Sequence, residues 1–548
     1  MRRDRHARGY TFRELSVVSL LVIVGATTSQ AQSHADHDLG KVDFPVSCSA
    51  EARVEFNRAV ALLHHMTYPQ ARAAFERVAA IDSTCAMAHW GIATTLFQPL
   101  WPTRPSPQAL QRGWDEVQKA NQLAPKTEQE RLFIATAEAF FLDPSSTDYW
   151  LRIRRWEQAM EKVYAAYPDA TEPATFYALA HLATTRSDTI TRANADRAAE
   201  ILLAVYKRHP DHPGAMHYLV HANDVPTREQ ESLEITRKYD ALAPNNPHAL
   251  HMPTHIYTRL GDWKGVVDGN VKAALAALEV PSGERGEYVW DEFSHAIEYL
   301  VYAYLQQGAD DSAGAQLQRL RTTPRQEPTF KTVFHLSSSQ ARYALERHDW
   351  KQAAQIAPRE PAALPWDRFP WPEAITYFAR GLGAAHLNDT TAAEEAVTHL
   401  TRLEDASRRS GEALFTSNIR MLRLEVDAWI AHVQGRSASS LESLREAAQL
   451  EASTPKHAVT PGPTIPALEL LGDLFFEQKL YREALEAYRG SLAGYPRRYN
   501  SVLGAARSAK SAGDRNVAMK FYQELLALGA GGTRMRDREE ARGFIGKG

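Results

Sequence analysis

The chain of 548 residues has only two cysteines, Cys48 and Cys85, which excludes a disulfide-dense scaffold and any cysteine-rich metal ribbon. It lacks an excess of basic charge. Its 63 Lys and Arg stand against 66 Asp and Glu, and no strongly basic domain stands out, so broad electrostatic binding to nucleic acid is excluded. Long apolar runs are missing too: "LSVVSLLVIVGA" covers about 12 residues, too few for a membrane span. No segment has a convincing strand alternation. There is no P-loop, no GxGxxG after a strand, no CxxC, no GxSxG and no HExxH. Phosphate cradles, redox pairs, nucleophile elbows and the usual metalloprotease helix therefore lack support. What is present is an ordinary globular composition, 44% hydrophobic and 24% charged, in a chain long enough for several domains or one repeat array.

The N-terminus has the form of a targeting segment. A basic start, "MRRDRHARGYTFRE", precedes the short apolar run, and "TTSQAQ" offers Ser29 and Ala31 at the −3 and −1 positions of a cleavage site. This predicts a signal peptide over 1–31 and a periplasmic or secreted chain. The alternative is an anchor through an uncleaved N-terminus. "RGYTFREL" also resembles a prepilin processing motif, but "TTSQAQ" interrupts the apolar stretch that such a helix would need. Export implies an oxidising compartment, in which two cysteines permit one bridge. The "HADHD" stretch, with His34 and His37, is expected to be a solvated tail.

A repeat organises the rest. "LELLGDLFFEQKLYREALEAYRGSLAGYP", ending at Pro496, resembles the tetratricopeptide repeat, a helix–turn–helix unit of 34 residues. Leu471 and Gly472 fall at repeat positions 7 and 8, Phe475 at 11, Ala484 at 20, Tyr488 at 24 and Pro496 at 32. Thirty-four residues on, Ala506, Ala518 and Tyr522 match. Small residues at 8 and 20 let the two helices approach, the aromatic at 24 fills the space against the next repeat, and proline ends the second helix. An aromatic three residues before position 20 recurs as Tyr68, Trp263, Trp350 and Tyr481. The fold class predicted is all-α, a tetratricopeptide-type solenoid of about nine to eleven hairpins. The domain reading is a His-containing linker over 32–47, N-terminal hairpins over 48–142, a central array over 143–355, hairpins with Pro-rich linkers over 356–460 and a C-terminal pair over 461–548. "FQPLWPTRPSPQ", "TTRSDTITRANAD", "APREPAALPWDRFPWP" and "ASTPKHAVTPGPTIP" are expected to interrupt the helices as loops. Cys48 lies before the first helix and Cys85 in the first turn of its equivalent one repeat later. Such helices pack roughly 8–10 Å apart, which favours a Cys48–Cys85 disulfide.

The whole chain is similar to a group of exported bacterial tetratricopeptide proteins through "FPVSCSAEA", "CAMAHWGIA", "HALHMPTHIYTRLG" and "HAIEYLVYAYLQ". That resemblance implies fold and export, and no reaction.

The repeat register gives the histidines their meaning. With Trp263 at position 17, His248, His251 and His255 occupy positions 2, 5 and 9. The tetratricopeptide resemblance implies that these positions face the concave groove. The same register puts His295 and His335 at position 2, Tyr177, His217 and Glu298 at 5, and His181, His221, Tyr302 and Arg342 at 9. With 21 histidines in the chain, chance alone gives roughly one HxxxH pair, so the bare motif is weak. Its weight lies in both pairs, His217/His221 and His251/His255, falling at equivalent positions of adjacent repeats. Imidazoles at i and i+4 stand about 5–6 Å apart at Cβ and suit one cation.

The metal candidates are thus His217, His221, His251, His255, His295 and Glu298. Tyr177, His181, His248, Tyr302, His335 and Arg342 line the groove beside them. A divalent transition ion is implied, zinc first, with Fe, Mn, Ni and Cu also compatible. Pro253 should kink its helix beside the cluster. Asp224, Asp291 and Glu292 flank the cluster, either orienting imidazoles or capping solvated helix ends. Three functions remain open: a metal or small-ligand site, a periplasmic scaffold holding a protein or peptide without metal, and a metal-dependent hydrolase with Glu298 as general base. Tyr218 and Met252 stand where a metalloprotease would carry Glu, and Ser338 has no visible triad.

Overall fold

The computed structural model describes residues 39–546 apart from 102, 103, 147, 185–187 and 284, and apart from the side chains of 188–191. The signal-peptide reading, with Ser29 and Ala31, and the tail histidines His34 and His37 lie outside the described residues. Among those described, no helix is long and apolar enough to cross a membrane.

Successive helices pack as hairpins, from Ala50–His64 with Tyr68–Ile81 through to Tyr499–Ser511 with Arg515–Leu528, and Met535–Ile545 follows the last pair. The only sheet among the described residues is a two-residue antiparallel pairing of Pro281–Ser282 with Tyr288–Val289. The chain is a tetratricopeptide-type α-solenoid. The repeat chemistry is visible at Tyr488. A Cβ on Gly472 would lie 2.8 Å from its ring, and one on Gly504 in the next repeat 2.3 Å from it. The tyrosine thus wedges between consecutive hairpins, and only a residue without a side chain fits on either side of it. Ala484 and Ala518, at the second small position, are fully buried.

One large apolar core runs from Phe44 to Ile256 and another from Trp263 to Ala541, with a smaller cluster around Phe293, Ile297 and Leu300. The Cys48–Cys85 disulfide is formed, with Cα atoms 4.9 Å apart.

Two expected interruptions differ from the expectation. "TTRSDTITRANAD" is largely helical, because the helix Asp188–Arg208 begins inside it. "ASTPKHAVTPGPTIP" is irregular, as its prolines require, but it is not a solvated linker. Val459, Thr460 and Ile465 are buried, and residues 454–466 form a strap across the central helices. A buried irregular segment must have its backbone polar groups satisfied by others. Here Arg342 does so: its Nη1 donates to the Pro463 and Thr464 carbonyls, and its Nη2 to the Gly462 carbonyl and Thr460 Oγ1.

Candidate functional site

Five helix segments carry the histidines inward: Pro213–Asn223, Pro247–His251, Pro253–Leu260, Glu292–Gln306 and Phe330–Leu345. Their starts are fixed locally. Pro213 and Pro247 occupy the first helical turn, where no backbone donor is required, and the preceding His212 and Asn246 accept from the Ala215 and Ala249 amides. Pro253 divides its helix at Met252, as its missing N–H dictates, so His251 and His255 belong to separate segments.

The imidazoles meet in two groups of three, each with its ligand-type atoms within 4.8 Å of one another: His217, His221 and His248, and His251, His255 and His295. In the first, His217 Nε2 lies 3.2 Å from His221 Nε2 and 3.1 Å from His248 Nε2. In the second, His251 Nε2 lies 3.0 Å from His255 Nε2. The groups adjoin, with the His221 and His255 ring centroids 5.9 Å apart.

The outer nitrogens decide which tautomer each ring adopts. His217 Nδ1 faces the His64 carbonyl at 2.6 Å, and a carbonyl can only accept, so Nδ1 carries the proton. His248 Nδ1 donates to Glu292 Oε2 at 3.1 Å, and His255 Nδ1 to Asp224 Oδ2 at 2.9 Å. His251 Nδ1 donates to Asn270 Oδ1 at 2.7 Å, and that oxygen is held in place because Asn270 Nδ2 donates to the Val266 carbonyl. His295 is fixed at one remove. His335 Nδ1 donates to Glu298 Oε2 at 2.5 Å, which leaves His335 Nε2 to accept from His295 Nδ1 at 3.0 Å. His295 Nε2 is then a bare lone pair, fully buried and without a hydrogen-bond partner among the described residues.

The consequence is electrostatic. With the rings neutral and each Nδ1 donating outward, the Nε2 atoms of His217/His248 and of His251/His255 present lone pairs to each other at hydrogen-bond distance. Such an arrangement repels unless a cation sits between the rings. Four donors on one zinc ion at roughly 2.0–2.1 Å stand about 3.3 Å apart, close to these spacings. A proton is a poor substitute, because burial pushes His217, His221, His251 and His295 well below the ordinary histidine range. Burial likewise lowers His255, against the opposing pull of Asp224. Around these neutral rings the carboxylates stay charged. Burial alone would raise Asp224 and Glu292. Lys456, Arg259 and His255 hold the first well below the carboxylate range, and Lys331 and His248 hold the second.

A third group, His64, Glu172 and His212, has ligand-type spacing but opposite chemistry. Glu172 accepts from His64 Nε2 at 2.8 Å and from His212 Nε2 at 2.9 Å. The two Nδ1 atoms accept in turn, from Tyr218 OH and from the Ala215 amide. Every nitrogen is satisfied, and the group is a buried hydrogen-bonded tie.

Of the residues singled out from sequence, His217, His221, His248, His251, His255 and His295 come together. Glu298 stands one residue further out than expected. Its carboxylate accepts from His335, Ser338 and Arg342 and reaches His295 only through His335, so its donors also occupy it against a role as general base. Arg342 joins Glu298 to the strap, and Tyr302 lies under Arg342 and against Arg498, away from the histidines. Tyr177 and His181 form a separate patch: Tyr177 stacks on Tyr164, and His181 faces Glu157 at 3.1 Å. Asp224 and Glu292 orient imidazoles, whereas Asp291 pairs with Lys331 and accepts from Thr329.

Sequence reasoning missed Asn270, Trp101, Tyr299 and Lys456. Tyr299 follows His295 by one helical turn and was within reach of the same facing argument; its ring lies 4.7 Å from that of His251. Trp101, 5.5 Å from His248 and 5.7 Å from His295, and Lys456, 2.7 Å from Asp224, come from segments expected to be loops and gave no signal.

No protein-family model matches the chain, and no curated protein matches it. Among solved structures it is similar to the human IFIT1 dimer with m7Gppp-AAAA, at 14% identity and a TM-score of 0.38, covering 81% of this chain and 90% of that one. It is also similar to the APC/C hetero-tetramer Cut9–Hcn1, at 14% identity and a TM-score of 0.31, covering 90% and 89%. The human IFIT1 dimer with PPP-AAAA gives 12% identity and a TM-score of 0.38, covering 87% and 90%. At this distance nothing about a ligand or partner carries across.

Proposed function

We propose that this chain is an exported solenoid whose inward histidines bind divalent transition metal, zinc first among the candidates. The observation that carries the reading is the confrontation of Nε2 lone pairs, His217 with His248 at 3.1 Å and His251 with His255 at 3.0 Å, each ring held in that tautomer by an acceptor behind it. A groove that only stacks on a peptide has no use for that orientation, so the scaffold reading ranks second. The hydrolase reading ranks below it, because Glu298 is already engaged by His335, Ser338 and Arg342 and reaches the cluster only through His335. Export is supported by the N-terminal sequence and by the Cys48–Cys85 bridge, which belongs to an oxidising compartment.

The test is elemental analysis of full-length protein made without a polyhistidine tag, as purified and after reconstitution with zinc. Bound metal that falls in His217→Ala and in His251→Ala supports the reading. Metal content near zero after reconstitution refutes it in favour of the scaffold.

A further inference from the structure

The two groups of three histidines differ in exposure and in what adjoins them. His251, His255 and His295 are buried, at 1%, 1% and 0% exposure. Each has its outer nitrogen tied, to Asn270, to Asp224 and to the His335–Glu298 pair. In the other group His217 and His248 are buried as deeply, but His221 is only half-buried and lines a pocket that reaches the surface. Each set offers three imidazoles, one short of a four-coordinate site; a set sealed from solvent is closed to exogenous ligands, and a set with one accessible side admits one as its fourth.

The pocket beside His221 is built for a particular kind of molecule. Its walls are aromatic, from Trp101, Tyr149, Trp150 and Phe415, with the Arg104 guanidinium, paired to Glu412, lying over the Tyr149 and Trp150 rings. Its polar end presents Lys456 and Arg259, which share the single carboxylate of Asp224. The cluster's charge balance favours an anion as well. Asp224, Asp291, Glu292 and Glu298 are equalled in number by Arg259, Lys456, Lys331 and Arg342: Asp224 pairs with both Arg259 and Lys456, Lys331 with both Asp291 and Glu292, and Arg342 with Glu298. Neutral imidazoles neutralise none of a divalent ion's charge, so that charge remains for an incoming ligand to meet.

Resting on the metal reading above, we propose that the chain holds two unlike ions: a closed one on His251, His255 and His295, and an open one on His217, His221 and His248. The open ion takes the carboxylate of a small organic acid whose apolar body lies between Trp101, Tyr149, Trp150 and Phe415. Lys456 pairs with the same carboxylate. The aromatic walls select against inorganic anions, which have no apolar surface to bury.

The experiment uses full-length protein reconstituted with Co²⁺, whose visible bands report coordination, and sodium benzoate as the probe. The expected result is two cobalt ions per chain, with benzoate shifting the bands of one of them. His295→Ala loses one ion and keeps the benzoate response. His221→Ala loses the response. Lys456→Met, which leaves all six imidazoles in place, weakens it about tenfold or more, the worth of one charge-assisted hydrogen bond. Bound cobalt that ignores benzoate overturns this inference and leaves the metal reading standing, as does a response to inorganic phosphate equal to that with benzoate. A parent that binds one cobalt ion in all, and loses it in both His295→Ala and His221→Ala, overturns the division into two. No bound cobalt overturns the metal reading beneath it.

Discussion

Asn270 offers the sharpest test of the tautomer argument, because it touches no ion. Its side-chain oxygen accepts from His251 Nδ1 at 2.7 Å and so keeps the lone pair of His251 on Nε2, facing His255. Replacing it by leucine keeps the volume and removes the acceptor. The His251 ring then has two choices. It can leave a buried N–H unpaired, which costs about 1–3 kcal/mol. Or it can move the proton to Nε2, where it donates across the 3.0 Å gap to His255 and closes the space between the rings. The second choice stabilises the metal-free protein and must be undone on binding. Either way Asn270→Leu should weaken one of the bound ions by about 10–100-fold, roughly 1.4–2.7 kcal/mol, the usual cost of losing an outer-sphere acceptor. Asn270→Asp restores an acceptor and should bind at least as tightly as the parent. Competition against a chromophoric chelator reads both constants. Parental affinity in the leucine variant would refute the claim that the outer acceptors set the site.

Three further outcomes follow from the same structure. Buried His65 has its Nε2 proton on the Leu39 carbonyl and its Nδ1 accepting from Tyr239 OH, and burial pushes it down to about 3. Below about pH 6.5 the unfolded chain gains a proton there that the native one refuses, so stability is full above that value and falls toward pH 3 by about 1.4 kcal/mol per unit. Between pH 7 and 5 the parent should lose about 2 kcal/mol more than His65→Gln in urea unfolding of metal-free protein, and equal losses would count against a neutral His65. Opening the Cys48–Cys85 bridge, which closes a loop of 37 residues, should cost about 4 kcal/mol in the chain-entropy model and lower the melting temperature without changing metal content. Glu172→Gln should destabilise the fold by about 3 kcal/mol by breaking a buried charged network. The number of bound ions should not change, and loss of one would place His64 and His212 among the ligands.

The fold was legible because a solenoid writes its contacts into a short period. Gly472, Ala484 and Tyr488 meet within one repeat and the next, so spacing alone locates them. The same period placed six histidines from three repeats on one wall, and they do meet. The register was less informative at its edges. Tyr177 and His181 occupy equivalent positions yet turn to Tyr164 and Glu157, because groove position sets which way a residue faces and leaves open how far along the groove it lies. The strap was illegible for the converse reason. Prolines in residues 454–466 exclude helix, but whether such a segment is solvated or buried depends on Arg342, more than a hundred residues away in sequence, supplying donors for its carbonyls.

What no repeat pattern could convey is the common orientation of the rings. His217, His248, His251, His255 and His295 each point the same nitrogen inward, and each does so through a different acceptor: a helix carbonyl, a glutamate paired with Lys331, an amide, an aspartate shared with Arg259 and Lys456, and a second imidazole. Packing does not demand this, since an imidazole has nearly the same shape in either tautomer. Hydrogen bonding within the cluster opposes it, since mixed tautomers would let the rings donate to one another. The acceptors behind the rings set this orientation, and the metal reading proposed above gives the inward lone pairs a common partner. The strap extends the logic: through Lys456 on Asp224 and Arg342 on Glu298 it braces the outer partners of both His255 and His295. A segment that looks like a linker in the sequence is thereby part of what holds the rings of the second group in their observed positions.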